Sequence, residues 1–122
     1  FHTAVRFAPD GKTLAAVVNR HANPTGPHAP YDLTLRDAAT GKLLRELGTL
    51  PITVGFRMRF TPDGARLIGR EELWVEVWDV AAGERLARIT PPGRAHFRDL
   101  AVHPAGEWFA TVGSDGKARA WS

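Results

Sequence analysis

Residues 104–121 read Pro-Ala-Gly-Glu-Trp-Phe-Ala-Thr-Val-Gly-Ser-Asp-Gly-Lys-Ala-Arg-Ala-Trp. A turn signal at Pro104–Gly106 precedes a largely apolar run from Trp108 to Val112. A polar turn follows, Gly113-Ser114-Asp115-Gly116, and then an alternating run, Lys117-Ala118-Arg119-Ala120-Trp121. Two short runs joined by an Asp-Gly turn predict a β-hairpin. The first run reads as a strand buried on both faces and the second as one buried on a single face.

The same unit recurs upstream. The turn Pro104-Ala105-Gly106 is a degraded copy of Pro9-Asp10-Gly11 and Pro62-Asp63-Gly64. A short apolar run stands before each turn: Ala4–Phe7, Phe56–Phe60 and Leu100–Val102. Downstream lie Arg36-Asp37, Trp78-Asp79 and Trp121-Ser122, spaced by 42 and 43 residues. A fixed period of this length marks a repeat architecture. The repeats predict strands at 3–7, 13–19, 31–36 and 43–47, then 56–60, 66–70, 73–78 and 85–89, then 97–102, 107–112 and 117–121. Leu33 and Leu35 correspond to Val75 and Val77, and these to Ala118 and Ala120. A period of two kept between repeats is the mark of half-buried strands. The fourth strands, around Leu43–Leu47 and Arg85–Ile89, could each form a helical turn, but so short a helix is marginal and the repeat context favours an outer strand. The first unit alone carries a Pro-rich loop at 19–30, containing Arg20, His21 and His28.

Composition narrows the function classes. The chain has 122 residues and no cysteine, which excludes a disulfide scaffold and a Cys-ligated zinc site. No apolar run approaches the ~20 residues that span a bilayer. The sequence opens on Phe1, so a signal peptide would lie outside it, and a cytoplasmic location is expected. The net charge is +3, from 13 Arg and 3 Lys against 13 acids. These cations are interleaved with Asp and Glu along the chain, which reads as a solvated mixed surface and predicts no nucleic-acid partner. Preference for Arg over Lys, with much Ala, Gly and Pro, is what a GC-rich genome such as a bacterial one produces.

Together these residues resemble the WD-repeat family of β-propellers. Asp115–Trp121 looks like the end of a WD repeat, and Val75-Glu76-Val77-Trp78-Asp79 carries the name-giving dipeptide. Pro9-Asp10-Gly11 and Pro62-Asp63-Gly64 resemble the family's turn between first and second strands. The resemblance implies an all-β partial propeller. Blade one spans 1–48, blade two 49–90, and an incomplete blade three 91–122, as the C-terminal part of a larger ring or as a unit completed by further copies of itself. It also implies structural roles for Trp78, Asp79, Thr111, Asp115 and Trp121. In the family a His, a Ser or Thr, an Asp and the Trp share a hydrogen-bonded network. Here Thr111, Asp115 and Trp121 match three members, while the His position falls near Gly93, and His96 stands three residues later. Arg36 replaces the Trp of the first repeat. The Pro-Asp-Gly turns also resemble, more weakly, Tol-type and prolyl-oligopeptidase-type propellers, which keeps a ring attached to a separate hydrolase domain as the alternative.

No catalytic, cofactor or metal site is expected. His21 and His28 are separated by Pro24 and Pro27 with no acidic residue between them, whereas zinc requires three or four convergent ligands. Ser114, Asp115 and His96 lack a Gly-x-Ser-x-Gly elbow, and Gly-Ser-Asp-Gly is a hairpin turn. Glu71 and Glu72 are adjacent in a turn, where carboxylates point apart. The expected function is protein or peptide binding, with no membrane partner. The resemblance assigns it to loops on one ring face, and the candidate residues there are Arg20, His21, Arg70, Glu71, Glu72, Arg94, His96 and Asp115. Trp78 and Trp121 are expected between sheets, with Trp74 more exposed. Val5, Phe7, Leu14 and Val17 at one end and Phe109, Val112 and Ala120 at the other are expected to face water, so that the isolated chain associates.

Overall fold

The computed structural model describes residues 4–19, 31–50, 56–71, 73–90, 93, 95–106 and 108–121. Eleven strands form three antiparallel sheets of four, four and three strands. The first comprises β1 (Ala4–Phe7), β2 (Thr13–Asn19), β3 (Tyr31–Asp37) and β4 (Leu43–Leu50) in sequence order. The second comprises β5 (Arg57–Phe60), β6 (Arg66–Arg70), β7 (Val75–Asp79) and β8 (Glu84–Ile89). The third comprises β9 (Phe97–Val102), β10 (Phe109–Gly113) and β11 (Ala118–Trp121). Each sheet is a meander of neighbouring strands, the form of a propeller blade. Both fourth segments are strands rather than helical turns, and β4 runs three residues beyond the expected Leu47.

The turns repeat atom for atom. Ala8, Thr61 and His103 each donate their N–H to the carbonyl of Thr13, Arg66 and Trp108, at 2.9 Å in every blade. Gly11, Gly64 and Gly106 close the turns by donating to the carbonyls of Ala8, Thr61 and His103. Their φ values of 71°, 72° and 79° explain the glycine, since a Cβ is disfavoured there. Asp10 and Asp63 accept the N–H two residues on, from Lys12 and Ala65. In the third blade His103 Nδ1 does this for Ala105, and its ring stacks on Trp108 with centroids 4.5 Å apart. The turns between third and fourth strands are equally alike. Asp37 and Asp79 accept the N–H groups of Gly41 and Gly83 on their carbonyls and cap the turn with their carboxylates.

Two apolar layers lie between the blades. Residues of β6 and β7 alternate between them: Leu67 and Trp78 face blade one, Ile68 and Val77 face blade three. The first layer joins Ala15, Val17, Leu33, Leu35 and Leu47 to Phe56, Met58, Leu67, Trp74 and Trp78. The second joins Ile68, Val75 and Val77 to Phe97, Leu100 and Phe109, with Trp121 partly buried against it. Trp78 is 2% exposed. Gly69 permits this, because a Cβ there would lie 2.9 Å from both the Trp78 and the Phe56 ring.

Trp74 is more exposed than Trp78, as expected, but is itself buried and less exposed than Trp121, and the expected exposure of Val17 and Phe109 changes. Trp74 is 9% exposed, tilted against Phe56 at 6.3 Å and covered by the Arg88 guanidinium at 5.1 Å. Val17 and Phe109 are buried, because each points inward toward blade two rather than toward the free end of the strip. Val5, Phe7 and Val112 are exposed, at 54%, 65% and 46%, and Ala120 is exposed too. No helix among the described residues is long and apolar enough to cross a membrane.

Candidate functional site

Among the expected recognition residues, Arg20, His21, Glu72 and Arg94 lie outside the described residues. Arg70 ends β6 and is buried, with Nη1 donating 3.1 Å to the Phe97 carbonyl of blade three. Glu71 is also buried, and its N–H donates to the Trp74 carbonyl at 2.8 Å. Both are built into the body of blade two rather than held out on a loop tip. His96 and Ser114 exchange two hydrogen bonds: the His96 N–H to Ser114 Oγ, and the Ser114 N–H to the His96 carbonyl, each 2.8 Å. This fastens the start of β9 to the β10–β11 turn. Asp115 is exposed and accepts from Arg119 Nη2 at 2.8 Å and from the Lys117 N–H at 3.0 Å. The Arg119 hydrogen bond, and then that of Lys117, hold its carboxyl below the ordinary 3.8.

A link of the four-residue network is seen where Trp121 Nε1 donates to Thr111 Oγ1 at 2.9 Å. In blade two Gly69 stands where Thr111 stands in blade three, as the pairings Gly69↔Glu76 and Thr111↔Arg119 show. Trp78 there relies on packing. In blade one Arg36 Nε donates to Thr34 Oγ1 at 3.1 Å and Nη1 to the Gly41 carbonyl. Thr34 in turn donates to the Ala16 carbonyl at 2.9 Å, so a polar chain replaces the indole.

A second site was not foreseen. The first strands of the three blades converge on a recess of about 330 Å³, lined by Arg6, Arg57, Arg59, Arg70, Arg98, Asp99 and Leu100. Local strand geometry places each cation. On β5, Met58 points into the apolar layer, so Arg57 and Arg59 point away from it. On β9, the register slips where Asp99 pairs with Val112 but Phe97 with Gly113. This bulge turns two successive residues, Arg98 and Asp99, outward between the buried Phe97 and Leu100. Arg6 reaches across from β1 to the Met58 carbonyl at 3.3 Å, as Arg70 reaches to Phe97. The two arginines thus tie neighbouring blades together at the recess. Among the described residues, no carboxylate forms an ion pair with Arg6, Arg57, Arg59 or Arg98, and Arg59 and Arg98 make no hydrogen bond. Asp99 Oδ1 accepts the Leu100 N–H at 2.7 Å.

Read linearly, these cations look dispersed among acids. The available signal was positional: in every repeat an arginine stands on the first strand. Among the described residues, no three His, Cys, Asp or Glu side chains are grouped as a metal site requires.

Comparison with known proteins agrees with the blade geometry. The β-propeller domain of Myceliophteria thermophila Cps50 (Swd1) superposes with a TM-score of 0.70 at 20% identity, over 97% of this chain and 33% of that one. Centriole proteome protein 16 of Chlamydomonas reinhardtii is 42% identical over 101 residues, 78% of this chain. The chain spans 5% of the length of that relative. Residues 87–122, from the end of β8 through blade three, match the family described as WD domain, G-beta repeat. The three sheets share one register, residues 87–122 match the WD-repeat family, and the fold as a whole is that of a section of β-propeller.

Proposed function

We propose that this chain is a section of a non-catalytic propeller that acts as a protein- or peptide-binding scaffold within a larger protein. The observation carrying the reading is the recess where β1, β5 and β9 converge, with donors turned toward solvent. WD propellers generally serve as interaction scaffolds, and rigid blades that hold side chains from separate repeats around one opening suit that role. The loops bearing Arg20, His21, Glu72, Arg94, His96 and Asp115 are proposed as further contacts. The exposed Val5 and Phe7 on β1 are proposed as contacts to a further blade, of the same chain or of another copy.

Selection of random displayed peptides on the full-length protein tests the scaffold reading. Enriched peptides should bind saturably and compete with one another for one site. Failure to enrich any sequence over a bare support would count against it. Light scattering on residues 1–122 alone tests the second contact: association should weaken when Val5 and Phe7 become Thr and Ser.

A further inference from the structure

We propose that the arginine-lined recess binds a phosphorylated side chain presented by a partner protein, which deepens the scaffold reading and rests on it. Five arginines and one aspartate line about 330 Å³. Each guanidinium carries five N–H donors in a planar fork that matches phosphate oxygens. Arg6 uses Nε on Met58, and Arg57 uses Nη1 on the adjacent Phe56 carbonyl at 2.9 Å. Those bonds fix the side chains while further donors remain for a ligand. Arg59 and Arg98 use none on the described protein. Like charges so close together repel, and with no carboxylate among the described residues paired to Arg6, Arg57, Arg59 or Arg98 the recess is a focused positive potential.

The charge density selects the ligand class. A carboxylate side chain brings one negative charge, whereas a phosphomonoester brings close to two, on three acceptor oxygens in one compact group. One such group can engage several forks at once, and charge-assisted hydrogen bonds of this type are about twice as strong as neutral ones. A nucleic-acid backbone fits less well. It needs cations spread along a face or groove, whereas these converge on one concave point from four strands. The bulge at Arg98 is part of the device, because a regular β9 would turn only one of Arg98 and Asp99 toward the opening.

The test uses the full-length protein and fluorescence anisotropy at about 0.15 M ionic strength. The probes are a random-sequence peptide pool with a central phosphoserine, the same pool with serine, inorganic pyrophosphate as competitor, and a single-stranded oligonucleotide. The phosphoserine pool should bind at least about tenfold tighter than the serine pool, and pyrophosphate should displace it. Arg59→Gln with Arg98→Gln should remove at least about tenfold of that affinity, while Arg66→Gln, outside the recess, should leave it unchanged. Neither recess arginine makes a hydrogen bond among the described residues, so the melting temperature should hold. Displacement by pyrophosphate reads the same site in the unaltered protein, should the double variant not fold.

Equal binding of the two pools would overturn the phosphate inference and leave the scaffold reading intact. Pyrophosphate binding with no peptide binding would overturn the peptide source and count against the scaffold reading as well. Oligonucleotide binding as tight as that of the phosphoserine pool would overturn the inference in favour of a general polyanion surface.

Discussion

Replacing Trp78 by Ala should remove a large part of the stability of blades one and two, and Gly69 should reveal why. A tryptophan buries about 150–250 Å². At about 25 cal/mol per Å² this corresponds to roughly 4–6 kcal/mol as an upper estimate, because the unfolded chain already hides some of that surface. The ring is 2% exposed and packs against Leu67, Gly69 and Phe56, so little of it is hydrated in the fold. The expected loss is about 3–5 kcal/mol, comparable with a domain's whole stability. Gly69→Ala tests the same contact from the other side. Its Cβ would sit 2.9 Å from Trp78 Cζ3 and from Phe56 Cζ, and neither ring end is free to move in a closed layer. Overpacking of this kind costs about 1–3 kcal/mol. In the Trp78→Ala background one of the two clashes disappears, so the cost of Gly69→Ala should fall by at least half. The measurement is a double-mutant cycle by urea unfolding, followed by circular dichroism. Additivity of the two changes, or a Trp78→Ala effect below ~1 kcal/mol, would refute the placement of this ring.

Thr111→Val keeps the shape of a buried side chain but leaves the Trp121 indole N–H without its acceptor, and should cost about 1 kcal/mol in unfolding free energy. The Glu76 carboxylate is 2% exposed between Arg85 Nη1 at 3.1 Å and Arg88 Nη2 at 2.9 Å, whose side chains are about half exposed. Removing both arginines strands a buried charge, while Glu76→Gln leaves two cations that water can reach. The double arginine variant should therefore be the less stable in thermal melts, although screening keeps its cost below the ~3–5 kcal/mol of a fully buried pair. Asp63 accepts from Thr61 Oγ1 at 2.7 Å and from the Ala65 N–H, which hold its carboxyl below the ordinary 3.8. A depressed folded-state pKa stabilises above the unfolded value and is lost as pH falls through the folded one. Between about pH 5 and pH 2 the wild type should thus lose more stability than Asp63→Asn, read as urea midpoints across that range.

How much of the molecule is written locally is clear from the turns and from the strands they bound. Pro-Asp-Gly needs only a glycine at positive φ and an acid that caps its own turn, and both operate within five residues. Alternation along β6 and β7 likewise follows from strand geometry, so the facing of Leu67 against Ile68, or of Trp78 against Val77, could be inferred before any contact was known. Departures arise where a side chain's surroundings come from another blade. Trp74 precedes β7, but Phe56 and Arg88 close over it. Val17 and Phe109 belong to the first and third blades, yet both lie on the face packed against blade two. The recess is the extreme case. Arg6, Arg57, Arg59 and Arg98 span more than ninety residues of sequence and sit among acids that balance them in any linear count. Local sequence sets that each stands on a first strand and points off the apolar layer. Only the packing of three blades side by side sets those strands against one another, and with them the concentration of positive charge, because convergence is a property of the packed blades and not of any one repeat.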